Sequence, residues 1–247
     1  MRVHEWGDPD QPTVILLHGG GLGWWAFRDV ALALAGAYHV VVPSIQGNGD
    51  AADEPFESIQ ASAAALIRWI DETYQGRVHA IGGLSLGAQI AVAVLCQRPD
   101  MATHAILESA LIFPLRSAGL IKPMAAMSYG LIRHRWFARL QAKQLQLPDA
   151  LFELYFDDTR RMSKQTLLQT LQSNAAFAPG ASLAQVQAKT LVIVGEKELP
   201  VIRRSAMQLA ADIPAAKLWV ANGMRHGELS LRHPAFYAER VLAWLAT

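Results

Sequence analysis

A single cysteine, Cys96, stands in these 247 residues, so no internal disulfide is possible. That usage suits a reducing compartment, and a cytoplasmic location is expected. Charge is sparse: 17% of residues are Asp, Glu, Lys or Arg, and the formal net charge is +1. No Lys/Arg run of the kind that tracks phosphates is present, which argues against a nucleic-acid partner. No apolar stretch reaches the roughly 18 residues that a membrane span needs. The first residues, Met1 to Trp6, contain no apolar signal region. Internal repeats and low-complexity tracts are also lacking. What is abundant is apolar residues, 52% of the chain, enough to bury a full α/β core at this length.

Those apolar residues fall into short runs separated by helical stretches. Thr13–Leu17, His39–Val42, Val78–Gly82, Ala105–Glu108, Thr190–Val194 and Lys217–Val220 read as strands. Most are continuous rather than alternating in hydrophobicity, as in strands of a parallel sheet buried on both faces. Helices are expected through Phe27 to Leu34, from about Ser58 to Tyr74, across Ala88 to Cys96, and from Pro234. The last places Tyr237, Val241, Trp244 and Leu245 on one face. This alternation predicts an α/β fold with a mostly parallel, doubly covered sheet.

Between Glu108 and Lys189 the rhythm stops. Residues 113–187 carry helical patches punctuated by Pro114, Pro123, Pro148 and Pro179, too long for a structureless loop. They read as a helical insertion in a core formed by residues 1–112 and 188–247. The insertion holds nine Lys/Arg against four Asp/Glu, so it is net basic. An ordinary solvated helical surface and a role with anionic ligands are both compatible with that charge.

Gly83-Leu84-Ser85-Leu86-Gly87 carries the chemistry. The pentapeptide alone is a weak signal, but here it lies between a buried strand and a long apolar helix. A sharp turn there holds a serine hydroxyl out above the sheet, and the flanking glycines avoid collision with neighbouring backbone. Serine at neutral pH needs a base, itself oriented by a third group. Among eight histidines, His226 follows the last expected strand in the loop Ala221 to Gly227, at the sheet edge where Ser85 also emerges. His18 reads as a structural hydrogen-bonder, and His233 as a helix-entry residue. The acid should leave the same edge: Glu198, just after Val194-Gly195, is favoured, with Glu108, at the end of another strand, as competitor. His18-Gly19-Gly20-Gly21 leaves backbone N–H groups open, and Gly20 with Leu86 would supply an oxyanion hole. No Gly-Lys-Ser/Thr follows and dinucleotide spacing is absent, so nucleotide binding is not expected. Cys96 falls inside an apolar helix and reads as an inert packed thiol.

Together these residues resemble the α/β-hydrolase superfamily. Leu16 to Gly21 is similar to its oxyanion-loop motif, Gly83 to Gly87 to its nucleophile elbow, Gly195 to Glu198 to its acid-bearing turn, and Gly223 to Gly227 to its histidine loop. The chain order serine, acid, histidine is also the superfamily's. The resemblance covers nearly the whole chain, with 113–187 matching the variable helical cap. It implies an α/β-hydrolase fold, the triad Ser85, His226 and Glu198, and no cofactor or metal. Two motifs depart from the pattern: the acid turn carries Glu198 where Asp is usual, and the loop after the second buried strand reads Pro43-Ser44-Ile45-Gln46-Gly47-Asn48-Gly49-Asp50. The short N-terminus implies that the first of the usual eight strands is missing or vestigial.

In such a scaffold, aromatics after the oxyanion motif and in the cap would form the pocket: Trp24, Trp25 and Phe27, with Met127, Trp136, Phe137 and Phe177. A small-molecule carboxylic ester is the expected substrate, and the chain a carboxylesterase-like monomer or homodimer. A second reading is a C–C bond hydrolase or lyase whose cap arginines, Arg133, Arg135, Arg139, Arg160 and Arg161, grip a substrate carboxylate. It requires an arginine in the cavity. A non-catalytic small-ligand receptor is the third reading.

Overall fold

The computed structural model describes residues 1–115 and 118–247. The chain runs β1 (Val3–Trp6), β2 (Thr13–Leu17), α1 (Arg28–Leu34), β3 (His39–Pro43), α2 (Ile59–Tyr74), β4 (Val78–Leu84), α3 (Leu86–Gln97) and β5 (Ala102–Glu108). After these come four helices, α4 (Ala118–Ser128), α5 (Arg135–Gln144), α6 (Phe152–Arg161) and α7 (Lys164–Ala176). The order closes with β6 (Lys189–Gly195), α8 (Pro200–Asp212), β7 (Ala216–Ala221), α9 (Glu228–Arg232) and α10 (Pro234–Leu245).

The strands form one seven-stranded sheet in the order β1-β3-β2-β4-β5-β6-β7. Only β1 is antiparallel, pairing Val3 with Pro43 and Trp6 with Val40. The N-terminal segment forms this short edge strand. The inner strands β2 to β6 are almost wholly buried, whereas the edges β1 and β7 are mostly half-buried or exposed. That division explains why the inner strands read as unbroken apolar runs. One core layer packs α2, α3 and α8 on one face of the sheet; a second packs α1 and α10 on the other.

β3 lies on one side of β2 and β4 on the other. The connections leaving the carboxyl ends of β2 and β4 therefore diverge, and a crevice opens at that edge. Both the Gly-rich loop after Leu17 and the turn at Ser85 are delivered to it.

Helix α2 shows how local chemistry sets the elements around this crevice. Ser58, in extended backbone, accepts the Ala61 N–H at 3.0 Å, and Ile59, Ala63, Leu66 and Ile70 form its buried face. Gln75 ends it in the left-handed conformation at φ 55°. Ser58→Ala should lower stability by about 1 kcal/mol. Thermal unfolding should register this as a drop of about 2–4 °C, with activity unaltered.

Helices α4 to α7 cover the carboxyl edge of the sheet. The indole N–H of Trp25 donates to Asp158 Oδ2 on α6 at 2.7 Å. Gln89 on α3 donates to the Asn174 carbonyl and accepts from its side-chain amide at 2.8 Å. Arg232 on α9 donates to the carbonyls of Gln146 and Leu147. Burial raises the Asp158 carboxyl above its usual range, against the stabilising Trp25 bond and Arg161 charge.

Candidate active site

Ser85 stands between β4 and α3 with φ 53° and ψ −110°, a conformation that an L-residue reaches only under constraint. The constraint is steric. A Cβ on Gly87 would overlap the carbonyl of Leu17, and one on Gly83 would overlap the backbone of Gly87. The serine N–H is held by the Glu108 carbonyl at 2.8 Å. The turn is fixed from both sides while its hydroxyl faces the crevice.

His226 Nε2 lies 3.0 Å from Ser85 Oγ, and His226 Nδ1 lies 2.7 Å from Glu198 Oε2. A carboxylate only accepts hydrogen bonds, so Nδ1 carries the proton and Nε2 faces the serine hydroxyl as acceptor. The Glu198 side chain is fully buried, and its Oε1 accepts from Ser109 Oγ at 2.7 Å and from the Gly195 N–H at 2.8 Å. The acid-bearing turn sits close because Gly195 has no side chain: a Cβ there would strike the Met224 carbonyl.

Glu108 takes a different position. It ends β5, is 2% exposed, and accepts a long contact, 3.4 Å, from the Ser230 N–H, while its Oε2 has no partner among the described residues. Burial pushes its carboxyl up to about 7. No hydrogen bond joins it to His226.

The Gly-rich loop is braced from below. His18, fully buried, donates through Nδ1 to the Gly19 carbonyl at 2.9 Å and accepts the Ile45 N–H at Nε2 at 3.0 Å. Burial lowers its pKa to about 4, so it stays neutral. Asn48 Oδ1 accepts the Gly21 N–H at 2.9 Å, tying this loop to the divergent Pro43–Asp50 segment. Gly20 faces Leu86 closely enough that a Cβ would come within 3.4 Å of the leucine side chain.

A cavity of about 320 Å³ opens beside Ser85, walled on the sheet side by Gly20, Gly21 and Leu86. Ile132, Leu145, Tyr155, Met162, Leu167 and Leu171 supply its apolar cover, with Gln141, Gln144, Thr159, Thr170 and Asn174 as polar groups. No charged side chain among the described residues lines it.

The aromatics expected in the pocket lie elsewhere. Trp24 stacks on His4, with ring centroids 4.3 Å apart, and Trp25 is used on Asp158. Phe27 and Phe177 are core residues. Met127 is 87% exposed and Trp136 64% exposed, with Phe137 set edge-on to Trp136. Only the C-terminal half of α5, at Gln141 and Gln144, reaches the cavity, so residues of its first turn point away from it.

The expected arginine grip is absent from this cavity as well. Arg135 pairs with Glu153, Arg160 with Asp157, and Arg161 with Asp158. Arg133 reaches the Tyr129 hydroxyl, and Arg139 lies 4.4 Å above the Phe152 ring. Burial pushes the Cys96 thiol up to about 11, in keeping with an inert packed side chain.

Sequence reasoning missed Ser109, Asn48 and the polar cavity residues. Ser109 directly follows a strand that ends in Glu, and its φ of 58° marks a second constrained turn at the same edge. That placement was the one available signal. Among the described residues no group of three or more His, Cys, Asp or Glu side chains is arranged to hold a metal ion. No helix among them is long and apolar enough to cross a membrane.

A mostly parallel seven-stranded sheet with flanking helices and a serine turn after its fourth strand is the α/β-hydrolase fold. The model of the alpha/beta hydrolase family matches residues 14–240, and the chain belongs to that family. It is 27% identical over 237 residues to 2-hydroxy-6-oxononadienedioate/2-hydroxy-6-oxononatrienedioate hydrolase 2 of Pseudomonas putida, covering 87% of this chain and 81% of that one. It is 25% identical to the hydrolase of the same designation from Escherichia coli K12, covering 100% and 91%. Among solved structures it is similar to a hydrolase from Pseudomonas aeruginosa, with a TM-score of 0.85 at 19% identity and coverage of 99% and 94%. An enol-lactonase from Burkholderia xenovorans superposes with a TM-score of 0.83 at 15% identity, covering 100% and 96%. At such identities the structural likenesses carry the fold alone.

Proposed function

We propose that this enzyme is a serine hydrolase that cleaves a small carboxylic ester with an apolar acyl portion. The observation that carries the reading is the unbroken chain Ser85 Oγ, His226, Glu198 opening on a cavity that no charged side chain among the described residues lines. Ser85 attacks the ester carbonyl as His226 Nε2 takes its proton. Glu198 holds the imidazole in the required tautomer and stabilises the imidazolium. The N–H groups of Gly20 and Leu86 receive the developing oxyanion, each contributing about 3–4 kcal/mol to the transition state. His226 then protonates the departing alcohol, and water hydrolyses the acyl-enzyme by the same route. Helices α4 to α7 act as the cap that closes the acyl pocket.

The relatives named for dioate substrates support a second reading, C–C bond hydrolysis. A dioate would also bring a carboxylate to the acyl side, where no cation among the described residues lines the cavity, and for that reason the ester is preferred.

A fluorophosphonate probe tests the assignment. Labelling of one site per chain, mapped to Ser85 by mass spectrometry and absent in Ser85→Ala, is the expected result. Hydrolysis of short p-nitrophenyl esters should vanish in the same variant. Turnover that survives Ser85→Ala overturns the proposal.

A further inference from the structure

His226 has a second face, turned away from the cavity beside Ser85. There it lines an open cleft of about 630 Å³ together with Glu198, Leu140, Gln144 and three cations, Lys143, Lys197 and Arg225. The cations come from three separate elements. Lys143 is in the last turn of α5, Lys197 in the acid-bearing turn, and Arg225 immediately before His226. All three are exposed, and among the described residues the side chain of none has an ion pair or hydrogen bond. The acids nearby bond to other groups and not to the side chains of these cations. Glu198 is shared by His226, Ser109 and Gly195, Glu196 accepts the Gly223 N–H, and Glu228 accepts the Arg225 N–H. Three cations against one acid, Glu198, line the cleft, which is therefore net positive, whereas no charged side chain among the described residues lines the inner cavity. Gln144 lines both, so the two spaces meet at one residue beside the triad.

Which part of a substrate occupies which space follows from the proton path. His226 Nε2 returns its proton to the leaving oxygen, so that oxygen must lie on the histidine side of the tetrahedral centre. The acyl chain then fills the neutral cavity, and the alcohol portion points out past His226 into the basic cleft.

We infer that the natural substrate is an ester whose alcohol portion carries an anionic group, a carboxylate or phosphate, received by Lys143, Lys197 and Arg225. This rests on the serine-hydrolase reading above and specifies its substrate class. It also gives the basic insertion a part in anion recognition: among its described cations Lys143 lines the cleft, and the core supplies the other two. Exposed charge pairs are individually weak and screened by salt, so the expected preference is moderate.

The test compares 4-(butanoyloxy)benzoate with 4-(butanoyloxy)benzamide, which share the acyl group and the aryl alcohol but differ in charge. At low ionic strength kcat/KM should favour the benzoate by about tenfold, mainly through KM. The ratio should fall towards one in 0.5 M salt and in the variant Lys143→Ala/Lys197→Ala/Arg225→Ala. Damage to the triad lowers both esters alike and leaves the ratio intact. A readout independent of turnover is protection of Ser85 from the fluorophosphonate, where 4-hydroxybenzoate should be effective at about tenfold lower concentration than 4-hydroxybenzamide. Labelled Ser85 with no preference in either measurement, or a preference that persists in the triple variant, overturns the anionic site alone. Absence of labelling and of turnover overturns the hydrolase reading and this site with it.

Discussion

Replacing Glu198 with Gln is expected to lower kcat by about 10⁴-fold while leaving the fold intact. The size of the loss follows from the orientation that the amide must take. Oε1 of Glu198 accepts from both Ser109 Oγ and the Gly195 N–H, so the carbonyl oxygen of a glutamine has to stand there. Its NH2 group then faces His226 Nδ1, which can meet a donor only as an acceptor. The ring proton moves to Nε2, where it points at Ser85 Oγ and leaves no lone pair to take the serine proton. Steady-state kinetics on a short p-nitrophenyl ester measure the loss, and slowed fluorophosphonate labelling should accompany it. If kcat falls by less than tenfold, Glu198 is not the orienting acid.

The same substitution at Glu108 should act on stability instead. An acid with a folded pKa near 7 and an unfolded value near 4.5 holds its proton longer when folded. Below pH 4.5 both states are protonated and the group costs nothing. As pH rises from about 4.5 to 7 the unfolded chain releases the proton first, so stability falls. Above 7 the full difference is lost, on the order of 3 kcal/mol. Glu108→Gln removes that pH dependence and keeps an oxygen to accept the Ser230 N–H. Its melting temperature should exceed that of the parent by several degrees at pH 8.5 and match it at pH 4.5. An equal gain at both pH values would mean that Glu108 does not titrate in this range. Because Glu108 makes no bond to His226, turnover by this variant should stay near the parent value. The pair of variants thus separates the two candidate acids by activity and by stability.

That separation depends on a single strand interval. Glu108 and Glu198 emerge from neighbouring strands, β5 and β6, at the same edge of the sheet. Strands lie roughly 4.8 Å apart, so the sequence places both acids in the right region without ranking them by distance. The turn through Gly195 brings Glu198 within 2.7 Å of His226, while Glu108 packs under Ser230. The serine turn, in contrast, was legible because every part of it is local. A buried strand, two glycines and an apolar helix are contiguous in the chain, and their sterics impose one geometry on Ser85.

The pocket was not legible in the same way. Aromatic residues looked suited to an apolar site, yet Trp25 is used to hold α6, and Trp136 stands on the outer surface of α5. The face a short helix turns inward depends on what it packs against, and amphipathic helices such as α5 and α6 accept more than one docking. The cavity is closed by Leu145, Leu167 and Tyr155 with a set of amides and hydroxyls whose spacing bears no signature.

From sequence alone came the buried strands, the helices that flank them, the Gly-rich loop, the position of Ser85 and the order in which serine, acid and histidine leave the sheet. Each rests on residues within one element or one turn, where hydrophobic period and backbone sterics act over a few positions. Tertiary structure alone decided which carboxylate meets His226, that N-terminal residues add an edge strand, which helix faces line the cavity, and that three cations from distant segments share one cleft. Those outcomes depend on distances between elements separated by tens of residues, which packing sets and local pattern does not encode.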